Sequence, residues 1–286
     1  MTSRAGPRRT VATYLDRILA AHRETAVADQ RPLDRLIEEA KARLPARGFA
    51  AALRAVTGLG VIAEVKRRSP SKGDLDAHLD PAELARAYER GGATCLSVLT
   101  DREFFGGSAQ DLREARGAAT VPVLRKDFTV AAADVCDARL MGADAVLLIA
   151  AALDDTELRD FYALAGELGL DALVEVHDEA ELDRALAAGA GLVGVNQRDL
   201  VTFDVDANRA VRVGHALSER GEDVVRVAES GIGGPQNAAA LADAGFHAVL
   251  VGESLVTSAD PARAVRALRT AGAPRHSRYG AARPPG

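Results

Sequence analysis

A small set of ionisable residues stands out in this 286-residue chain by type and spacing. Glu64 and Lys66 are two apart, Lys126 lies in Arg125-Lys126-Asp127, and Glu175 sits between Val174 and Val176. On a β-strand, alternate residues share a face, so Glu64 and Lys66 point the same way and Glu175 points away from its two valines. A carboxylate in apolar surroundings needs a partner or an altered pKa, and Lys66 and Lys126 are the available cations. A single Glu–Lys pair of this kind is often only a structural salt bridge. Two lysines and two glutamates gathered at one place suit general acid–base work on an anionic substrate. Later in the chain, Ser230-Gly231-Ile232-Gly233-Gly234 and Gly252-Glu253-Ser254 are of the type whose backbone N–H groups cradle phosphate.

Other polar residues carry less. His177 reads as a helix cap or surface residue, Arg67-Arg68 as a solvated basic run, and Asp204 and Asp206 as a turn with solvated carboxylates. The chain has no His- or Cys-rich ligand set, so no metal is expected, and no nucleophile–base–orienter set appears either. Cys95 and Cys136 lack metal-ligand spacing and read as small buried hydrophobes in a reducing compartment.

Eight short apolar runs must hold these groups: Val61–Val65, Thr94–Leu99, Val121–Leu124, Ala145–Ile149, Ala172–Val176, Leu192–Val195, Val224–Ala228 and Ala248–Val251. Most are continuous rather than alternating, as in a parallel sheet buried on both faces. Helical patterns separate them. Asp80-Pro81, Asp154, Asp178 and Asp260-Pro261 are helix starts. Gly91-Gly92, Gly142, Gly189 and Gly245 each stop a helix just before a strand. Eight strands alternating with helices predict an α/β fold, a (β/α)8 TIM barrel over residues 60–271. An open doubly wound sheet is the alternative, but its Gly-rich fingerprint is missing after the first strand. Two helices, with Val11, Tyr14, Leu15, Ile18 and Leu19 and then Leu33, Leu36, Ile37, Ala40 and Leu44 in step, predict an N-terminal helical extension over 1–59. Residues 1–10 read as disordered and 272–286 as a flexible tail.

In such a barrel the site lies at the C-terminal strand ends. Glu64 and Lys66 then come from strand 1, Lys126 from strand 3, Glu175 from strand 5, Asn196 from strand 6, Ser230 and Gly231 from strand 7, and Gly252 and Glu253 from strand 8.

Composition narrows the setting. Hydrophobic residues make up 48% and charged residues 27%, too apolar for a disordered chain. The longest apolar run, Ala145 to Leu153, is nine residues against the ~18 a membrane span needs. Thirty-six Lys and Arg against 41 Asp and Glu give −5, a poor match to a nucleic-acid partner. No secretory signal follows the N-terminus, so a cytoplasmic protein is expected, a monomer or weak homo-oligomer acting on a small phosphorylated molecule.

Taken together, these segments resemble the indole-3-glycerol phosphate synthase family over roughly residues 11–270. The likeness rests on Ile62-Ala63-Glu64-Val65-Lys66-Arg67-Arg68-Ser69-Pro70-Ser71-Lys72-Gly73, Pro122-Val123-Leu124-Arg125-Lys126-Asp127-Phe128, Leu173-Val174-Glu175-Val176-His177, Gly194-Val195-Asn196, Glu229-Ser230-Gly231-Ile232 and Val251-Gly252-Glu253-Ser254-Leu255. The resemblance implies a barrel whose extension covers its mouth. It also implies an enzyme, a carboxy-lyase of tryptophan biosynthesis that uses no cofactor or metal. Its substrate would be 1-(2-carboxyphenylamino)-1-deoxyribulose 5-phosphate. By position, Lys126 would be the general acid on the ketone oxygen. Lys66 would hold the anthranilate carboxylate, and Glu175 and Glu64 would be bases and orienters. Asn196 would position a substrate hydroxyl or Glu64. Ser69, Ser230, Gly231, Gly252 and Glu253 would bind phosphate, while Phe105, Arg198, Leu200 and Leu250 would wall the aromatic ring. Gln197 stands where the family usually has Asn, and Val130-Ala131-Ala132-Ala133-Asp134 replaces a Tyr-Gln-containing stretch. An isomerase of phosphorylated sugars on the same scaffold, or a barrel kept only for binding, are the other readings.

Overall fold

The computed structural model describes residues 13–271 apart from Ser71 and Leu200. The expected disorder of residues 1–10 and the expected tail over 272–286 lie outside the described residues. Eight parallel strands form a closed barrel: β1 Gly60–Val65, β2 Cys95–Leu99, β3 Val123–Lys126, β4 Ala145–Ile149, β5 Asp171–Val176, β6 Leu192–Asn196, β7 Val225–Glu229 and β8 Ala248–Val251. Each strand pairs with its neighbours in sequence, and β8 returns to β1 with Gly60 opposite Ala248. The third strand lies two residues later than its apolar run predicts, so Lys126 is its last residue. A two-residue hairpin, Arg68–Ser69 against Gly73–Asp74, follows β1.

Alternation along the strands divides the interior in two. Outward residues such as Val61, Ala63, Val146, Leu148, Val174 and Val193 form one cluster with the surrounding helices. Inward residues Ile62, Cys95, Leu124, Leu147, Leu173, Val227 and Leu250 form the second. The helices are α1 Tyr14–Ala28, α2 Leu33–Lys41, α3 Phe49–Arg54, α4 Pro81–Gly91, α5 Ala109–Ala118, α6 Ala132–Met141, α7 Asp155–Glu167, α8 Glu179–Ala187, α9 Arg209–Glu219, α10 Pro235–Asp243, α11 Glu253–Val256 and α12 Pro261–Ala271. The acidic caps act as expected: Asp80 accepts from Ala82 and Glu83, Asp154 from Thr156 and Glu157, and Asp178 from Glu181. The glycine exits are left-handed, with φ of 89° at Gly92, 95° at Gly142, 92° at Gly189 and 83° at Gly245. Cys95 and Cys136 are buried free thiols. No helix of the described residues is long and apolar enough to cross a membrane.

The N-terminal segment departs from the expected cover over the mouth, because its helices take three different positions. Only α1 reaches the mouth: Tyr14 stacks edge-on to Phe104 and Phe203 with centroids 5.8 and 5.4 Å apart, and His22 Nε2 lies 2.9 Å from Asp101 Oδ2. Helix α2 packs along α6 on the barrel's flank. Helix α3, which has too few residues to show a period in the sequence, pushes Phe49 and Leu53 into the inward cluster at the opposite end. Leu44, expected on the second helix, lies beyond its end and is 85% exposed.

Two aspartates at the start of strands tie this segment down. Asp171 accepts from the Ala50 N–H at 2.9 Å. Asp144, fully buried, accepts from the Arg47 N–H at 2.8 Å, the Val123 N–H at 2.9 Å and the Arg116 guanidinium at 2.5 Å. Removing one partner of a buried ion pair leaves the other uncompensated, at a cost of about 3–5 kcal/mol. Asp144→Ala is therefore expected to lower unfolding stability by about 3 kcal/mol in urea titration; a loss below about 1 kcal/mol would show that Asp144 does not anchor the extension.

Candidate functional site

Inward residues at the C-terminal ends of the strands stop being apolar. Glu64, Ser97, Lys126, Glu175, Asn196 and Glu229 occupy this top layer, each following an inward apolar residue or glycine two positions earlier. Pairing register sets them side by side: Glu64 is opposite Ser97, and Asn196 is opposite Glu229. Lys66, one residue past β1, turns back so that its Nζ lies 2.7 Å from Glu64 Oε1. Ser97 Oγ donates to the other Glu64 oxygen at 3.3 Å. Across the mouth, Lys126 Nζ donates to Glu175 Oε2 at 3.3 Å and lies 3.7 Å from Glu229 Oε2. Asn196 Nδ2 donates to Glu175 Oε1 at 3.0 Å, so Asn196 orients Glu175 and not Glu64.

These contacts decide the charges. Burial alone would neutralise Lys126, but Glu175, Glu229 and Glu64 outweigh it and hold the ammonium above its ordinary range. Burial also opposes ionisation of Glu175, and Lys126, His177 and Asn196 overcome it, leaving this carboxylate below its usual value. Glu229 goes the other way. Burial and the adjacent Glu175 push it up to about 8. Its Oε1 meets no hydrogen-bond partner. Glu229 was visible in the sequence at the end of strand 7 but took no role there. The signal available was its position immediately before Ser230-Gly231.

Two glycines leave room for this layer. A Cβ at Gly194 would lie 2.1 Å from Glu229 Oε1, and one at Gly252 would lie 2.5 Å from Glu64 Oε1 and 3.0 Å from Lys66 Nζ. The carboxylates thus occupy space that any other residue type would fill.

Above the layer opens a cavity of about 640 Å3. Of the residues singled out in the sequence, Glu64, Lys66, Lys126, Glu175 and Asn196 form its floor and wall, together with Glu229. Ser69, Ser230, Gly231, Gly252 and Glu253 line one side, with Lys72 and Ser254. Phe105, Arg198 and Leu250 line it as well, joined by Phe128 and Phe203. Leu200 lies outside the described residues. Ser230 and Gly231 have φ of 66° and 70°, which folds the chain back sharply after β7. Gln197 Nε2 holds the Ser230 carbonyl at 2.8 Å, and Ser254 Oγ donates to the Ile232 carbonyl at 3.2 Å. Among the described residues, the N–H groups of Gly231 and Gly233 meet no acceptor. Lys72 Nζ, 3.8 Å from Glu253 Oε1, adds a cation to the rim. On the aromatic side Phe105 and Phe128 are tilted together at 6.2 Å, and Arg198 is fixed by donating to the Phe203 carbonyl at 2.9 Å.

Some readings of the sequence are corrected here. Arg67 is not a solvated cation: it forks onto both oxygens of Asp111 at 3.1 Å and donates to the Leu79 carbonyl at 2.7 Å, bracing the loop after β1. Arg68 is exposed and pairs with Asp74, as a solvated residue does. His177 is neither a cap nor a surface residue; it is packed behind Glu175. Asp206 accepts from the Asn208 N–H and from Arg212, consistent with a turn. Among the described residues, His22, Asp101 and Asp127 bring potential metal-ligand atoms within 4.8 Å of one another. Their carboxylates, however, already accept from the Phe104 and Phe105 N–H groups, from Thr100 and from Arg125.

Comparisons with known proteins agree with this geometry. The family model described as indole-3-glycerol phosphate synthase matches residues 15–268. An indole-3-glycerol phosphate synthase of Mycolicibacterium smegmatis is 51% identical over 263 residues, covering 91% of this chain and 95% of that protein. One from a Nocardioides species is 56% identical over 211 residues, covering 74% and 80%. Among solved structures, thiamine phosphate pyrophosphorylase from Pyrococcus furiosus superimposes with a TM-score of 0.56 at 17% identity, over 74% of this chain and 95% of that one, a likeness of fold alone. With a closed barrel, two lysine–carboxylate pairs at its mouth and half its residues shared with these relatives, the chain belongs to the indole-3-glycerol phosphate synthase family, carboxy-lyases of tryptophan biosynthesis.

Proposed function

We propose that this chain converts 1-(2-carboxyphenylamino)-1-deoxyribulose 5-phosphate into indole-3-glycerol phosphate, with loss of carbon dioxide and water. The observation that carries the reading is the pair of lysine–carboxylate contacts facing one cavity, Lys66 with Glu64 and Lys126 with Glu175. The reaction needs two proton donations to oxygen, one as the ring closes and one as water leaves. The mouth offers two ammonium groups.

The phosphate would sit against Ser69, Ser230, Gly231, Gly252 and Glu253, the glycines and Glu253 acting through backbone N–H groups. Lys72 would supply charge from the rim. The aromatic ring would lie among Phe105, Arg198 and Leu250, and Lys66 would take its carboxylate. The ketone then falls between the two lysines.

In ring closure the carbon bearing the carboxylate bonds to the ketone carbon, and the carbonyl electron pair takes a proton from Lys126. An ammonium in a site poor in water both stabilises the developing oxyanion and delivers the proton. The carboxylate leaves as carbon dioxide, and its bonding pair restores the aromatic ring. In the dehydration a base removes a proton from the carbon next to nitrogen while the new hydroxyl departs with a proton. Glu175, ionised and oriented by Asn196, is the base in this reading. Lys66, held by Glu64, is the acid. Glu229 carries a proton beside Lys126 and can return one to it between the steps.

The direct test is incubation with the carboxyphenylamino substrate, following carbon dioxide release together with indole fluorescence; binding without turnover would refute the reading. Lys126→Ala is expected to lower kcat by about 10²-fold or more, the usual worth of a general acid. A folded variant with near-original turnover would remove Lys126 from that role. Ser230→Ala should chiefly raise KM by weakening phosphate binding, and an unchanged KM would take Ser230 out of the site. Glu229 gives a prediction on stability. Its folded carboxyl holds a proton up to about 8, whereas an unfolded glutamate releases it near ~4.3. Between those values the folded chain binds the extra proton, so this contribution to stability is lost as pH rises. Glu229→Gln keeps a neutral group and removes the slope. Its melting temperature relative to the original chain should therefore climb between pH ~5 and ~8, and a constant gap would mean that Glu229 is ionised throughout.

A further inference from the structure

His177 follows β5 directly and touches the base assigned above, yet it does not line the cavity. Its Nδ1 lies 3.0 Å from Glu181 Oε2, which also accepts from the His177 backbone N–H at 2.8 Å. Its Nε2 is buried, has no hydrogen-bond partner and lies 3.8 Å from Glu175 Oε1. Glu181 is an acceptor in its ionised form, so Nδ1 keeps a hydrogen in either protonation state of the ring. A neutral ring would then aim the Nε2 lone pair at a carboxylate, two acceptors facing each other with no proton between them. A protonated ring instead points Nε2–H at Glu175. The geometry therefore selects the imidazolium.

The charges around the ring come from every element packed on it. Glu175 faces it from β5 and Glu181 from α8. Arg209 approaches from α9 and opposes the charge, and Asp199, in the loop after β6, favours it. Arg209 is itself drawn towards Asp199 at 3.8 Å and donates to the Asn196 carbonyl at 3.2 Å, which directs part of its charge elsewhere.

We propose that His177 is a positioning residue: as an imidazolium clamped by Glu181 it keeps Glu175 ionised, so that the proton shared by the two neighbouring carboxyls resides on Glu229. Lys126 cannot make this choice, because it faces both carboxyls, at 3.3 and 3.7 Å. His177 contacts Glu175 and not Glu229. The inference rests on the assignment of Glu175 as base, but the charge distribution can be measured without turnover.

The test is a carbon-13 carboxyl NMR titration of the full chain beside its His177→Phe and His177→Gln variants, with signals assigned through Glu175→Gln and Glu229→Gln. Steady-state kinetics are recorded on the same preparations. Loss of a cation near 4 Å should raise the Glu175 titration by about one pH unit. The acid limb of kcat should move up with it, kcat should fall by about tenfold, and KM should change little. His177→Gln, which restores a neutral donor near the Nε2 position, should recover part of the rate. Glu181→Gln should shift the Glu175 titration in the same direction as His177→Phe. A purely structural histidine would lower the melting temperature yet leave the Glu175 titration in place; that result, in either His177 variant that folds, overturns the inference. A shifted titration in a chain whose original form does not turn over the substrate would overturn the functional reading and leave this one standing.

Discussion

Three carboxyls and two ammonium groups share one layer inside a closed ring of strands: Glu64, Glu175 and Glu229 with Lys66 and Lys126. An apolar interior does not hold unpaired charge, so each ammonium is matched to a carboxylate and the surplus carboxyl retains its proton. Glu229 is that surplus group: it is buried beside Glu175 and shares Lys126 with it, but it lacks the Asn196 hydrogen bond and the His177 contact that favour the charge on Glu175. The imbalance gives the mouth two carboxylates, two ammonium groups and one neutral acid. Acids and bases therefore coexist within a few ångströms without cancelling one another.

Much of the remaining structure serves to make this layer possible. The ring closes because the strands alternate strictly, with aliphatic residues outward under the helices and a second aliphatic set inward below the charges. Phe49 and Leu53 seal the far end, leaving the mouth as the open end of the barrel. Gly194 and Gly252 give up side chains so that Glu229 and Glu64 have somewhere to lie. Ser97 and Asn196 satisfy carboxylate oxygens that the lysines do not reach. Around the rim, Arg67 on Asp111 and α1 on Phe104, Phe203 and Asp101 brace the loops that carry the aromatic wall.

The barrel was legible in the sequence because a parallel strand buried on both faces is a continuous apolar run, and because aspartate caps and glycine exits punctuate the helices between. The acid–base residues were legible for a related reason. Once a strand is identified, its last inward position is known, and a lysine or glutamate there is conspicuous. Where the reading fell short, the missing information was a contact that only the folded chain makes. Arg67 looked solvated because Asp111 and Leu79 come from later segments. His177 looked like a cap because Glu175, two residues away, is beside it only when β5 ends by turning into α8. Helix α3 escaped notice because six residues show no period, and its helical form depends on the barrel end that it plugs.

By itself, then, the sequence determined the alternation of strands and helices, the strand ends that carry chemistry, and the family to which those ends are similar. These properties are local: periodicity, capping and residue type act over a few positions along the chain. Only the tertiary structure decided which lysine faces which carboxylate, which carboxyl keeps a proton, that Asn196 serves Glu175, and where the N-terminal helices lie. A carboxyl's charge depends on burial and on groups within a few ångströms, and ring closure brings those groups together from strands far apart in the chain.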